Sequence, residues 1–259
     1  MYFFENCHRF LSFLIAIIFI IIFSESTQAQ ENKSNDTFTL IERENIEGIV
    51  KDFILNNPEH IIKAIQNLRK REESRKHEKI KDNLINYQSE LINDPDTPVG
   101  GNQKGSVNIV EFFDYRCGYC KRALPDLIKL ISSDKDIRIV FKEFPILGPK
   151  SVIASKAGLS AWIIDKSKYQ DFHKSMMQAK GMLSESRIMK LATIAGYNVI
   201  DLKKTMGTPR IDKILEKTFN LAKALDINGT PAFIIGDQVI RGAVDLKTLE
   251  SLVSEAKGS

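Results

Sequence analysis

Three cysteines among 259 residues are too few to staple a fold, so the chain must rely on an apolar core. Four histidines, none paired with another at ligand spacing, and no second cysteine pair argue against a four-ligand structural zinc site. The formal net charge is only +4, too small for a nucleic-acid binder. Internal repeats and extended low-complexity segments are absent from the sequence. The apolar run Leu11–Phe23, with Ser12 its one polar member, falls short of the roughly 20 residues that span a bilayer.

That run reads instead as the core of an export signal. Met1–Arg9 is a short, weakly basic start, and Thr27-Gln28-Ala29 offers the small residues of a cleavage site, so cleavage is expected after Ala29. An uncleaved membrane anchor is the alternative. Removing residues 1–29 takes Cys7 with them and leaves Cys117 and Cys120 as the only thiols, in an oxidising compartment.

Those two form Cys117-Gly118-Tyr119-Cys120, set between the apolar run Val107–Phe113 and a helix-like stretch from Lys121 to Ile131. At a helix N-terminus, unpaired N–H groups and the positive dipole end favour an anion, and a thiolate is one. Cys117 is therefore the expected nucleophile in thiol–disulfide exchange. Cys120, one turn deeper, is placed to attack a mixed disulfide on Cys117 and release the partner. A static disulfide and half of a metal site are the competing readings of the pair.

Residues 30–38 are polar and read as a flexible start. From Leu40 to about Leu91 the pattern is helical: Ile46, Ile49, Val50, Phe53 and Ile54 share a face, and Asn57-Pro58 restarts the helix. The block Arg69–Lys79 is nearly bare of apolar groups, so it is either a solvated helix or a segment that can bend. Apolar stripes on either side need partners, which points to self-association through residues 30–95; folding back on the chain's own domain is the alternative. The turn-rich stretch Asn93–Asn102 reads as a linker, with one domain following over 102–259.

In that domain the pattern turns α/β. Val107–Phe113 and Ile137–Phe141 read as strands, residues from about 150 to 225 as helices, and Ala232–Ile235 with Gln238–Arg241 as a hairpin across Gly236-Asp237, before a final helix capped by Asp245. The expected class is α/β: a thioredoxin fold with an inserted helical subdomain, preceded by an α-helical stalk. His60, His77 and His173 read as solvated or packing side chains, and Trp162 with Met176-Met177 as core, although the methionines could line a client groove.

Three segments resemble the DsbA-like thioredoxin family of bacterial thiol–disulfide oxidoreductases: Phe112–Cys120, Phe144–Pro149 and Gly229–Gly236, in that order. The resemblance runs from about Asn102 to the C-terminus. It implies that Thr230-Pro231 is the cis-proline loop facing the cysteines and binding an extended substrate. Gly118 and Tyr119 share that substrate surface. It also places Glu111 where the family keeps a buried acid that moves the proton of the resolving cysteine; a water-exposed strand-end glutamate is the competing reading.

Three features bear on the task. Tyr119 stands where strongly oxidising members carry histidine, Thr230 resembles the isomerases, and the helical extension resembles that of trimeric ScsC-type members. The resemblance thus implies a periplasmic protein disulfide isomerase, a homo-oligomer with three subunits favoured. Its partners would be misoxidised or unfolded secreted proteins and a membrane thiol reductase or oxidase, with no metal or other cofactor. The alternatives are a dithiol oxidase, a Cu(I)-handling thiol protein and a holdase.

Overall fold

The computed structural model describes residues 38–258. The export signal with Cys7 and residues 30–37 lie outside them. The chain divides into two compact units, one ending at Arg69 and the other starting at Lys70.

The first unit is helical. Helix α1, Leu40–Asn56, is set by a capping box: the Thr39 hydroxyl accepts from the Glu42 amide at 3.3 Å, and the Glu42 carboxylate accepts from the Thr39 amide at 2.7 Å. Asn57 ends it, its side-chain amide donating to the Phe53 carbonyl. Helix α2, Glu59–Asn86, begins directly after Pro58. No residue of α1 is buried, and Ile49, Val50, Phe53, Ile61, Ile65 and Leu68 all stand exposed. His60 stacks on Phe53.

The second unit starts inside α2, continues through the short α3, Gln88–Ile92, and is built on a five-stranded sheet. Its strands are β1 Val99–Gly101, β2 Val107–Phe113, β3 Ile137–Glu143, β4 Ala232–Ile235 and β5 Gln238–Arg241, in the spatial order β1-β3-β2-β4-β5. Strands β2 and β3 are parallel, joined through α4, Gly118–Ser133; every other pairing is antiparallel. The helices α5 Pro149–Ile164, α6 Tyr169–Gln178, α7 Glu185–Ile194, α8 Val199–Met206 and α9 Pro209–Ala224 are inserted between β3 and β4, and α10, Leu246–Lys257, closes the chain.

Alternation along the central strands divides the core. Ile109 and Phe113 of β2 face α4, α10 and the insertion, with Phe172, Met176 and Met177, whose burial makes them core rather than groove lining. Val110 and Phe112 face the other way, against Leu221 and Leu225 beside α9's end and against Leu84 and Leu91 from α2 and α3. The C-terminal part of the helical region is thus part of the domain's own core.

One local feature differs from the sequence reading, and a second decides between its alternatives. The stretch 93–102 is not a free linker: Val99–Gly101 adds an edge strand to β3, the Phe141 amide donates to the Pro98 carbonyl at 2.8 Å, and Trp162 Nε1 reaches the Pro95 carbonyl. Tertiary pairing overrides its turn-rich composition. The charged block is helical, and Lys76 and Lys81 reach the carboxylates of Asp226 and Asp237 at 2.7 and 3.1 Å.

Candidate active site

Strand β2 ends at Phe113, and the next four residues turn the chain into α4. Asp114 organises that turn. Its backbone carbonyl accepts from the Cys117 amide at 2.9 Å, while its buried carboxylate accepts from the Arg116 and Leu147 amides and the Ser151 hydroxyl at 2.7, 3.0 and 2.8 Å. The carboxylate thereby ties the turn to the loop before α5. The reading of the sequence missed this residue, although an aspartate two positions before a free amide is the mark of an Asx turn.

Cys117 is the N-cap of α4, and its sulfur accepts from the Cys120 amide at 3.4 Å. That is the place a thiolate would occupy, at the helix end where N–H groups converge. On its other side the Cys117 thiol donates to the Thr230 carbonyl at 3.2 Å. The Thr230-Pro231 peptide bond is cis, and the contact with Thr230 sets the loop before β4 against the nucleophile. Gly118 and Tyr119 open α4 at the surface, with the Arg122 guanidinium 4.1 Å above the tyrosine ring. Both cysteines are free thiols.

Cys120 is fully buried. Burial pushes its thiol up, and the Glu111 carboxyl adds to the effect. Glu111 shares a strand face with Ile109 and Phe113, the face that α4 covers, which is why a glutamate two residues from the end of β2 lies inside the protein. Burial raises its carboxyl from 4.5 to about 8. The structure therefore gathers Cys117, Cys120, Glu111, Gly118, Tyr119, Thr230 and Pro231 at one site, with the second sulfur and the acid beneath the first sulfur.

Behind it lies a polar cluster that no sequence pattern announced. Tyr115 and Tyr169 converge on His173 Nδ1 at 3.0 and 3.3 Å, and Ser155 donates to Glu143 at 2.7 Å. Burial holds His173 down at about 3, neutral, and pushes Glu143 well above the ordinary carboxylate range. Gly158 makes the close packing possible: a Cβ there would lie 2.5 Å from Glu143 Oε1 and 2.7 Å from the Tyr115 hydroxyl.

The chain that carries this cysteine pair and cis-proline loop matches known proteins over most of its length. Residues 93–255 match the family described as thioredoxin. The chain belongs to the thioredoxin family. Residues 42–75 match the copper resistance protein ScsC N-terminal domain. Among solved structures, a thioredoxin-like oxidoreductase from Silicibacter pomeroyi is 36% identical with a TM-score of 0.63, covering 66% of this chain and 98% of its own. Proteus mirabilis ScsC in a transitional conformation is 31% identical with a TM-score of 0.64, over 85% of this chain and 99% of its own. The disulfide bond formation protein D of Bacillus subtilis is 26% identical over 176 residues, 62% of this chain and 78% of that protein. The chain is a DsbA-like thiol–disulfide oxidoreductase of ScsC-type organisation.

Proposed function

We propose that the chain is an exported protein disulfide isomerase, rearranging wrong disulfides in client proteins through Cys117 and Cys120. The observation that carries this reading is the environment of the second sulfur. A fully buried thiol whose ionisation is suppressed chiefly by desolvation is a poor leaving group. A dithiol oxidase must expel Cys120 each time a client thiolate attacks Cys117, and this burial slows that departure. An isomerase needs Cys120 only to rescue stalled complexes.

In the proposed cycle the Cys117 thiolate attacks one sulfur of a client disulfide. The Cys117–client bond forms as the client's S–S bond breaks, and the other client sulfur leaves as a thiolate. Client thiols then rearrange, and a client thiolate finally displaces Cys117, so no net electrons are consumed. When rearrangement stalls, Glu111 takes the Cys120 proton and the Cys120 thiolate attacks the Cys117 sulfur. The client leaves reduced, and the resulting Cys117–Cys120 disulfide requires two electrons from a membrane thiol reductase. The Thr230 loop, with Gly118 and Tyr119, holds the client beside the sulfur.

The exposed apolar side chains of α1 and early α2 support assembly of copies of this chain through the helical region 30–95, three being the favoured number. Several thiols would then face one client at high effective concentration. The reading places the mature protein in the periplasm, after removal of residues 1–29. A reduction potential near −180 mV together with refolding of scrambled ribonuclease is the expected result, whereas a value about −120 mV with rapid dithiol oxidation and no refolding marks an oxidase.

A second reading has one observation in its favour, the copper resistance protein whose N-terminal domain matches residues 42–75. Two reduced thiols three residues apart suit Cu(I). Titrating the reduced protein with Cu(I), beside Cys117→Ser, separates the two: stoichiometric tight binding that the variant loses supports metal handling.

A further inference from the structure

Cations without carboxylate partners stand around the starts of α4, α5 and α7. Arg116, exposed next to Cys117, reaches the Leu147 carbonyl at 2.7 Å, and Lys150 stands 3.0 Å from the Met182 sulfur. Lys121 donates to the Ala179 carbonyl at 2.8 Å, Arg187 donates to the Lys180 carbonyl, and Arg122 lies over Tyr119. These contacts run from the start of α4 to the loop before α5, across to the turn before α7, and toward α4 again. Lys121 is held below its ordinary range by burial and by the nearby Arg187 charge.

None of these contacts is an ion pair, and among the described residues none of the five cations has a carboxylate within ion-pair distance. Some cations elsewhere are paired, as in Lys156–Asp212 and Lys257–Asp134. Glu185, at the start of α7, pairs with Lys203, and the buried Asp114 carboxylate is engaged by two amides and a hydroxyl. Exposed apolar groups lie between the cations: Tyr119, Leu147 and Met182 are 59%, 45% and 61% exposed.

We infer that this rim selects client segments in which acidic and apolar residues flank the cysteine under attack. Carboxylates on such a segment meet Arg116, Arg122 and Lys150, while its apolar side chains cover Tyr119, Leu147 and Met182. A small anionic thiol could engage one or two of the cations, but they are spread over three elements and interleaved with apolar surface, which fits an extended chain. Unpaired rim charges act chiefly on association rate and are weakened by salt. The inference rests on disulfide exchange at Cys117 and names the clients it favours.

The test uses the full mature chain, reduced, and two peptides of equal length. Each carries one cysteine as its mixed disulfide with 2-mercaptoethanol, flanked by alternating Glu and Leu in one and Lys and Leu in the other. Second-order rate constants are measured by stopped flow. At roughly 50 mM salt the acidic peptide should react about tenfold faster or more, and the ratio should shrink at roughly 500 mM. Arg122→Gln combined with Lys150→Gln should remove most of the preference, while Lys129→Gln, which removes one positive charge farther along α4, should leave it. Equal rates for the two peptides, or a preference untouched by the double variant, overturn the inference, as does a preference confined to glutathione disulfide. Hydroxyethyl disulfide, which is uncharged, separates the failures: no reaction with it means that exchange at Cys117 itself fails.

Discussion

The sulfur of Cys117 lies 3.2 Å from the carbonyl oxygen of Thr230, a contact between segments 113 residues apart. The thiol donates to that carbonyl, whereas the thiolate would be held by the amides at the start of α4, so each protonation state has a partner. A client bound to this sulfur sits beside the backbone of residue 230.

The proposed exchange divides the labour between the two sulfurs. Cys117→Ala should abolish disulfide exchange. Cys120→Ala should keep the nucleophile and accumulate client-linked protein, visible on non-reducing gels and released by dithiothreitol. Equal accumulation by the unaltered chain would mean that Cys120 does not resolve mixed disulfides.

Glu111 gives a prediction with a definite sign. Its carboxyl titrates at about 8 in the fold against 4.5 ordinarily. Below pH 4.5 it is protonated folded or unfolded and has no effect; as pH rises towards 8 only the unfolded chain ionises, so stability falls, and above 8 the loss is complete. Glu111→Gln should therefore match the parent in acid and exceed it above pH 8, by a few kcal/mol in order of magnitude. The same variant should resolve mixed disulfides about 10²-fold more slowly and lose the rise in that rate through pH 8. Chemical denaturation across pH and quenched-flow trapping check the two parts.

Much of this site was legible in the sequence because its signals are local. The Cys117–Cys120 spacing, the strand before it and the hairpin across Gly236-Asp237 each lie within a few residues of what they specify, while the cis bond at Thr230-Pro231 was implied only by the family resemblance. Val99–Gly101 was not legible, since it becomes a strand only by pairing with β3. Nor was the Tyr115–His173–Glu143 cluster: these residues are polar by type, and they are buried where the insertion packs on the sheet. Lys76 and Lys81 looked like a solvated face, and their partners, Asp226 and Asp237, are far along the chain.

The packing at Gly158 predicts that Gly158→Ala destabilises the fold by about 1–3 kcal/mol, because the new methyl group would press on Glu143 and Tyr115. Thermal unfolding measures it. Gly118, with nothing near its Cβ position, should accept alanine with little loss of stability.

The exposed stripe on α1 bears on assembly. Ile49→Asp with Phe53→Asp should lower the molar mass in light scattering to that of one chain, while the uncharged disulfide is still reduced at the parental rate. An unchanged mass would remove the case for association through that face.

Leu84 and Leu91, buried against Val110 and Phe112, have a practical consequence for anyone dissecting the protein. A cut in the stretch that reads like a hinge, between 93 and 102, would strip the sheet of two of its core side chains and leave a fragment with an uncovered apolar face. Limited proteolysis should spare that stretch, and the smallest fragment that refolds cleanly should begin near Lys70.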